Sequence, residues 1–307
     1  MKYQETSLPT EPILFSNLVS EFGNNLFQYA CAHIINLDLK RKLYFGAKST
    51  IWSGKKYTRP RTFKWLHEKN LYKLGIIKDE DILHVPEIEG KITPQHIEEN
   101  SFLKKYIFSP NPSSFINYPA APVSPTLRPT WDDKYINSDK TIVLCDYYQD
   151  YSIYKPYKDM IKSLYKNMYV DNLSIDSDAV SIHLRGTDCG WPTAPAMYAR
   201  ILESMDSFSA VNIVTNDVNN QSFIQLSNFI KDKYKVPVRF EQGDSISDFR
   251  FLLHSNRMIT AESTFSWWAA WLSDAKEIHM PYSSLFNRKN RKNLLVDDEK
   301  RYTFHAK

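Results

Sequence analysis

Val180-Ser181-Ile182-His183-Leu184-Arg185-Gly186-Thr187-Asp188 joins a short apolar alternation to a polar cluster. Val180, Ile182 and Leu184 alternate with Ser181, His183 and Arg185, which is the period of a β-strand and puts His183 and Arg185 on one face. The alternation breaks at Gly186. A guanidinium, a hydroxyl and a carboxylate then sit at the carboxyl end of a strand, where open α/β sheets bind their ligands. On these nine residues alone, a surface pair between Arg185 and Asp188 is an equal alternative.

Downstream, the same pattern repeats. Val211–Thr215, Val236–Val238 and Met258–Thr260 read as strands, Phe223, Leu226 and Ile230 mark a helix, and Ser247-Asp248 cap another that carries Phe249, Leu252 and Leu253. Strands alternating with helices predict a parallel sheet. Asp217 closes the Val211 strand, where its carboxylate accepts from a base or a ribose, or else caps the next helix. Thr260-Ala261-Glu262-Ser263-Thr264-Phe265-Ser266-Trp267-Trp268-Ala269-Ala270-Trp271-Leu272 runs from a strand into an apolar helix. Ser263, Thr264 and Ser266 bring hydroxyls to amides that a helix N-terminus leaves for an anion. The three tryptophans read as core.

Upstream, Ile13–Phe15 and Leu18-Val19 read as a short strand, Glu21-Phe22-Gly23-Asn24-Asn25 as a tight loop, and Leu26, Tyr29, Ala30, His33, Ile34 and Leu37 follow at helical spacing. The amides of Asn24, Asn25 and Leu26 face an anion or sugar hydroxyls in one reading and form a plain capping turn in the other. Residues 40–140 carry little periodic signal, and Pro110 to Pro129 reads as a long connector. Thr141–Cys145 is a buried strand leading to Tyr147, Tyr148 and Gln149, which either meet a sugar or pack as core and rim. Asp171 to Asp178 is a polar linker.

The chain has 307 residues, room for two α/β domains with a cleft. Lys and Arg total 39 against 35 Asp and Glu, so the charge of +4 gives little support to a nucleic-acid partner. The three cysteines show no C-x-x-C and no His at metal-ligand spacing, which disfavours structural zinc and a disulfide framework. The start lacks a signal-peptide pattern and no apolar run spans a bilayer, so a reducing, cytoplasmic setting is expected. The basic run Arg288–Lys292 suits weak peripheral contact with an anionic membrane, or a solvated end packing on the N-terminal domain.

Four segments, in order, resemble the α-1,2-fucosyltransferase family, glycosyltransferase family 11. Phe22–Ala30 is similar to its Gly-Asn-Gln-Met-Phe-Gln-Tyr-Ala opening, Tyr147–Tyr154 to its tyrosine-glutamine segment, Val180–Asp188 to its His-x-Arg-Arg-Gly-Asp motif, and Glu262–Leu272 to its Asn-Ser-Thr-Phe-Ser-Trp-Trp-Ala-Ala-Trp-Leu signature. The resemblance implies two Rossmann-like domains facing across a cleft, a GT-B arrangement. Residues 1–170 would serve the acceptor glycan, 171–285 the GDP-fucose donor, and 286–307 would form the basic tail.

It also implies inverting transfer without a cofactor or metal. Arg185 and Asp188 are then the catalytic candidates. His183, Asp217, Ser263, Thr264, Phe265, Ser266, Gly23, Asn24 and Asn25 are donor-binding candidates, with Tyr148 and Gln149 on the acceptor side. Two positions depart from the pattern: Gly186-Thr187 follow Arg185 in place of a second arginine, and Glu262 replaces the asparagine. A transferase for another nucleotide sugar and a silent glycan-binding homologue are the competing readings.

Overall fold

The computed structural model describes residues 9, 11–18, 20–46, 69–83, 106–108, 141–144, 148–171, 173–185, 193–282 and 294–306. The chain divides into two units, Met1–Leu164 and Tyr165–Lys307, each with its own parallel sheet. An α/β chain with parallel sheets is therefore what the alternation of strands and helices produces. The division falls a few residues before the expected 170/171 boundary.

In the first unit, β1 (Leu14–Asn17) leads into α1 (Phe22–Leu39), which returns to β2 (Leu43–Gly46). Next come a single helical turn α2 (Asn70–Lys73), β3 (Tyr106–Phe108), β4 (Thr141–Leu144) and the short helices α3 (Tyr151–Tyr154) and α4 (Lys158–Leu164). The strand order is β2-β1-β4-β3, all parallel, so the order reverses between β1 and β4. Gly46 sits where a Cβ would come within 2.5 Å of the Phe15 ring, so β1 and β2 pair closely only with glycine there. α1 ends where Lys40 turns left-handed and its N–H donates to the Asn36 carbonyl.

The second unit contains β5 (Val180–His183), α5 (Pro195–Glu203), β6 (Val211–Val214), α6 (Gln221–Tyr234), β7 (Val238–Glu241), α7 (Ser245–Leu253), β8 (Arg257–Ile259), α8 (Thr264–Leu272), β9 (Glu277–Tyr282) and β10 (Tyr302–Ala306). Its sheet has the order β10-β9-β8-β5-β6-β7, all parallel. Counted from β5, that is the doubly wound order of dinucleotide-binding folds, with the reversal between β5 and β8. Val180, Ile182, Val211 and Ile213 pack with Met197, Tyr198, Ile201 and Ile230 in one buried cluster. Trp267, Trp268 and Trp271 are at most 1% exposed, with Tyr165 edge-on to Trp268.

Ser181 is fully buried and meets the Ser255 hydroxyl at 2.8 Å, so β5 is covered on both faces. Two expectations change. α7 begins earlier than read, because Asp244 accepts from the amides of Ile246 and Ser247 while Asp248 reaches back to the Gly243 amide. Gly23, Asn24 and Asn25 lie within the first turns of α1 instead of a loop.

The tail over 294–306 builds the second unit's own sheet and helix end. β10 completes the edge of β9, Trp267 Nε1 donates to Leu294 O at 2.7 Å, and Arg301 donates to the carbonyls of Trp271, Ser273 and Ala275. Those carbonyls end α8 and its exit, and a guanidinium fork supplies the donors that a helix terminus lacks. The basic run Arg288–Lys292 lies outside the described residues. No helix among the described residues is long and apolar enough to cross a membrane.

Candidate functional site

The second unit's sheet brings together two motifs that are about eighty residues apart in sequence. Ile182 pairs with Ile259, so β5 and β8 end side by side at the reversal of strand order, where this topology opens a crevice. β5 delivers His183 and Arg185, both half-exposed, while Leu184 between them is buried. β8 delivers Thr260, Ala261 and Glu262 into the N-terminus of α8.

Rings lock this arrangement. His183 and Phe265 have centroids 5.3 Å apart, and Phe265 meets Phe249 of α7 edge-on at 5.4 Å. Tyr198 of α5 donates from its hydroxyl to the His183 carbonyl at 3.0 Å. Burial pushes the Tyr198 hydroxyl above its ordinary range, and the charge of Glu262 adds to that push. Glu262 itself is only 3% exposed, so its carboxylate is turned inward rather than out toward an anion.

The hydroxyls at the turn do different work from that expected. Ser263 caps α8, its Oγ accepting from the Phe265 amide at 3.2 Å. Ser266 is fully buried and folds the turn back on itself: its Oγ accepts from the Ala261 amide and donates to the Ala261 carbonyl, each at 3.2 Å. Of the Ser263–Ser266 run, Thr264 and Phe265 stay half-exposed. Asp217 lies at the end of β6, half-exposed, its Oδ1 accepting from the Asn219 amide at 3.1 Å, while the cap of α6 is Asn220. Asp188 lies outside the described residues.

In the first unit, the reversal between β1 and β4 is bridged by side chains. Asn24 and Asn25 turn their amides onto the Glu21 carbonyl at 3.0 and 3.1 Å, the capping turn that is the second of the two readings. The Asn25 side chain is buried on Gln28. Asn24 Nδ2 donates to Ser20 Oγ at 2.9 Å, and its Oδ1 accepts from Gln149 Nε2 at 2.5 Å, joining the end of β1 to the end of β4. Ser20 and Tyr148 flank this contact with φ of 68° and 52°, unusual for residues with a side chain. Tyr148 is half-exposed, Tyr151 and Tyr154 are core, and Tyr154 OH donates to the Tyr148 carbonyl at 2.6 Å. Tyr147 lies outside the described residues.

Tyr198, Phe249 and Ser20 shape these two places without a motif in the sequence to mark them. Tyr198 reads only as one more apolar position of α5. Among the described residues, no group of three His, Cys, Asp or Glu side chains is placed to hold a metal ion.

No protein-family model and no curated protein matches the chain. Solved structures do. A mutant of Arabidopsis thaliana FUT1 in complex with GDP is 12% identical, over 89% of this chain and 71% of that one, with a TM-score of 0.45. POFUT1 in complex with GDP is 12% identical over 88% and 96%, with a TM-score of 0.45. The fucosyltransferase NodZ from Bradyrhizobium is 13% identical over 88% and 95%, with a TM-score of 0.42. At such low identity and TM-score, the chemistry of this chain rests on its own residues.

Proposed function

We propose that the chain is a GT-B glycosyltransferase that moves L-fucose from GDP-β-L-fucose to a hydroxyl of a glycan, forming an α-1,2 linkage to a galactoside. The observation that carries this reading is that β5, which leads into Arg185, ends beside β8, which leads into the α8 N-terminus, with the His183 ring 5.3 Å from Phe265 of that helix. A cation beside a helix N-terminus suits a diphosphate that gains charge as it leaves. Asp217, at the end of the next strand, is in the position from which such folds meet a ribose. The four sequence motifs supply the sugar, the nucleotide and the linkage.

The acceptor oxygen attacks the anomeric carbon as the bond from that carbon to the β-phosphate oxygen breaks, and the electron pair leaves with GDP. Configuration inverts. The hydroxyl proton passes to a base, for which Asp188 is our first candidate, or to water. Arg185 and the amides opening α8 act on the leaving group. Gln149 and Tyr148 belong to the acceptor side, and no metal is required.

The full chain incubated with a panel of GDP- and UDP-sugars and β-galactoside acceptors tests this. Release of GDP with one deoxyhexose added to the acceptor, unaffected by chelator, is the expected result. Transfer from another nucleotide sugar overturns the choice of fucose. Glycan binding with no transfer from any donor favours the silent homologue that the missing second arginine suggests.

A further inference from the structure

We infer that Lys69 is a positioning residue for a hydroxyl-binding subsite at the carboxyl ends of β1 and β4, in which Gln149 is the group that meets the ligand. The inference rests on the reading of the first unit as the acceptor side. Lys69 is 49 residues from Ser20 in sequence and only 9% exposed, yet its Nζ donates to the Ser20 carbonyl at 2.6 Å. The segment that follows it is pinned against α1 and β2. Leu71 and Ile77 are buried, the Ile76 carbonyl accepts from Tyr29 OH, and the Leu83 amide donates to the Phe45 carbonyl of β2.

From Lys69 a chain of hydrogen bonds runs to the far strand. Lys69 holds the Ser20 carbonyl, Ser20 Oγ receives Asn24 Nδ2, and Asn24 Oδ1 receives Gln149 Nε2. Ser20 is left-handed, a conformation that a residue with a side chain keeps only when its surroundings hold it. A charged donor on its carbonyl is a strong hold.

At the other end, Gln149 is 8% exposed and its Oε1 meets no partner among the described residues. A buried amide with one end held and the other unmatched calls for a ligand group. A sugar hydroxyl both donates and accepts, so it fits that end whichever way round the amide stands. An aliphatic side chain in place of Lys69 would fill the volume but release Ser20, and with it the setting of Asn24 and Gln149.

The test compares Lys69→Met, Lys69→Arg, Gln149→Leu and the Lys69→Met/Gln149→Leu double variant in the full chain. With lactose as acceptor and GDP-fucose as donor, Lys69→Met should raise acceptor KM by ~5- to 10-fold, the worth of one neutral hydrogen bond, with kcat and donor KM unchanged. Lys69→Arg should restore it. The double variant should be no worse than Gln149→Leu, because both act through one chain. An unchanged acceptor KM, multiplied effects in the double variant, or equal falls in kcat and melting temperature in both Lys69 variants would overturn the inference.

A neutral-glycan array without donor separates this from the functional reading. If wild-type chain binds a glycan there but transfers no fucose, fucosyl transfer fails while weaker binding by Lys69→Met upholds the subsite. If wild-type chain binds no neutral glycan, the subsite fails.

Discussion

In the first unit the gap between β1 and β4 is bridged by Asn24 and Gln149, neutral amides held at 2.5 Å, whereas in the second the gap between β5 and β8 leaves His183, Arg185 and Thr264 half-exposed. The same topological place is finished in two ways. Neutral amides match hydroxyls, while a guanidinium beside a helix N-terminus matches a leaving anion. Under the proposed function, the difference suits a hydroxyl-bearing acceptor to the first unit and an anionic leaving group to the second. It also explains why Ser263 and Ser266 are buried: their hydroxyls build the α8 turn, and the turn presents backbone rather than side chains.

The largest expected effect is on the platform under the charged site. Trp268→Ala removes a fully buried ring that touches Tyr165, Trp267 and Trp271, and should cost ~3–5 kcal/mol in denaturant unfolding. A loss near zero would mean that α8 does not rest on its tryptophans. Arg185→Ala comes next: loss of one charge-assisted contact to the leaving group should lower turnover ~100- to 1000-fold, or ~3–4 kcal/mol, with the fold intact. Asn24→Ala should leave GDP affinity alone. Near-normal turnover in Arg185→Ala, or lost GDP binding in Asn24→Ala, would erase the distinction between the units.

Acid stability compares the units in another way. Burial holds His33 of the first unit at about 4, below its ordinary 6.5, with the charge of Asp81 opposing the shift only in part. His305 in the second is likewise held at about 4, by burial and then by His279 and Arg200. Between those values the unfolded chain binds protons that the folded chain does not, so this contribution is full above about pH 6.5 and is lost as the pH falls toward 4. For His33 it is on the order of 3 kcal/mol. For the more exposed His305, solvent screening leaves less. Urea unfolding from pH 7 to pH 4 should therefore show a steeper loss in wild type than in His33→Leu, and parallel curves would remove His33 as the source.

The smallest effect tests a cap. Asp244→Ala should cost ~1 kcal/mol, because two amides at the start of α7 lose their acceptor. Thermal unfolding reads it directly, and no loss would mean that the Asp244 carboxylate does not hold the start of α7.

Much of the second unit was legible from residues. The alternation at Val180–Leu184 and the strand-to-helix run at Thr260–Leu272 are local patterns, and the parallel sheet follows from repeating them. β9 and β10 were not legible, since Glu277, His279 and His305 interrupt the apolar pattern and meet only after the strands pair. His279 Nδ1 and His305 Nε2 are 2.8 Å apart across β9 and β10, a contact that no spacing in one strand announces. The Asn24–Gln149 bond was hidden for the same reason: 125 residues separate its partners. Residue types named the candidate groups, but which hydroxyls face outward depended on hydrogen bonds closing inside the α8 turn.

Hydrogen exchange of the full chain with and without GDP tests the central claim most directly. The nucleotide should protect amides in 182–185 and 261–266 and leave 20–28 and 148–150 unchanged. Protection confined to 20–28 and 148–150, or none anywhere at saturating GDP, would contradict the assignment of the diphosphate to the gap between β5 and β8.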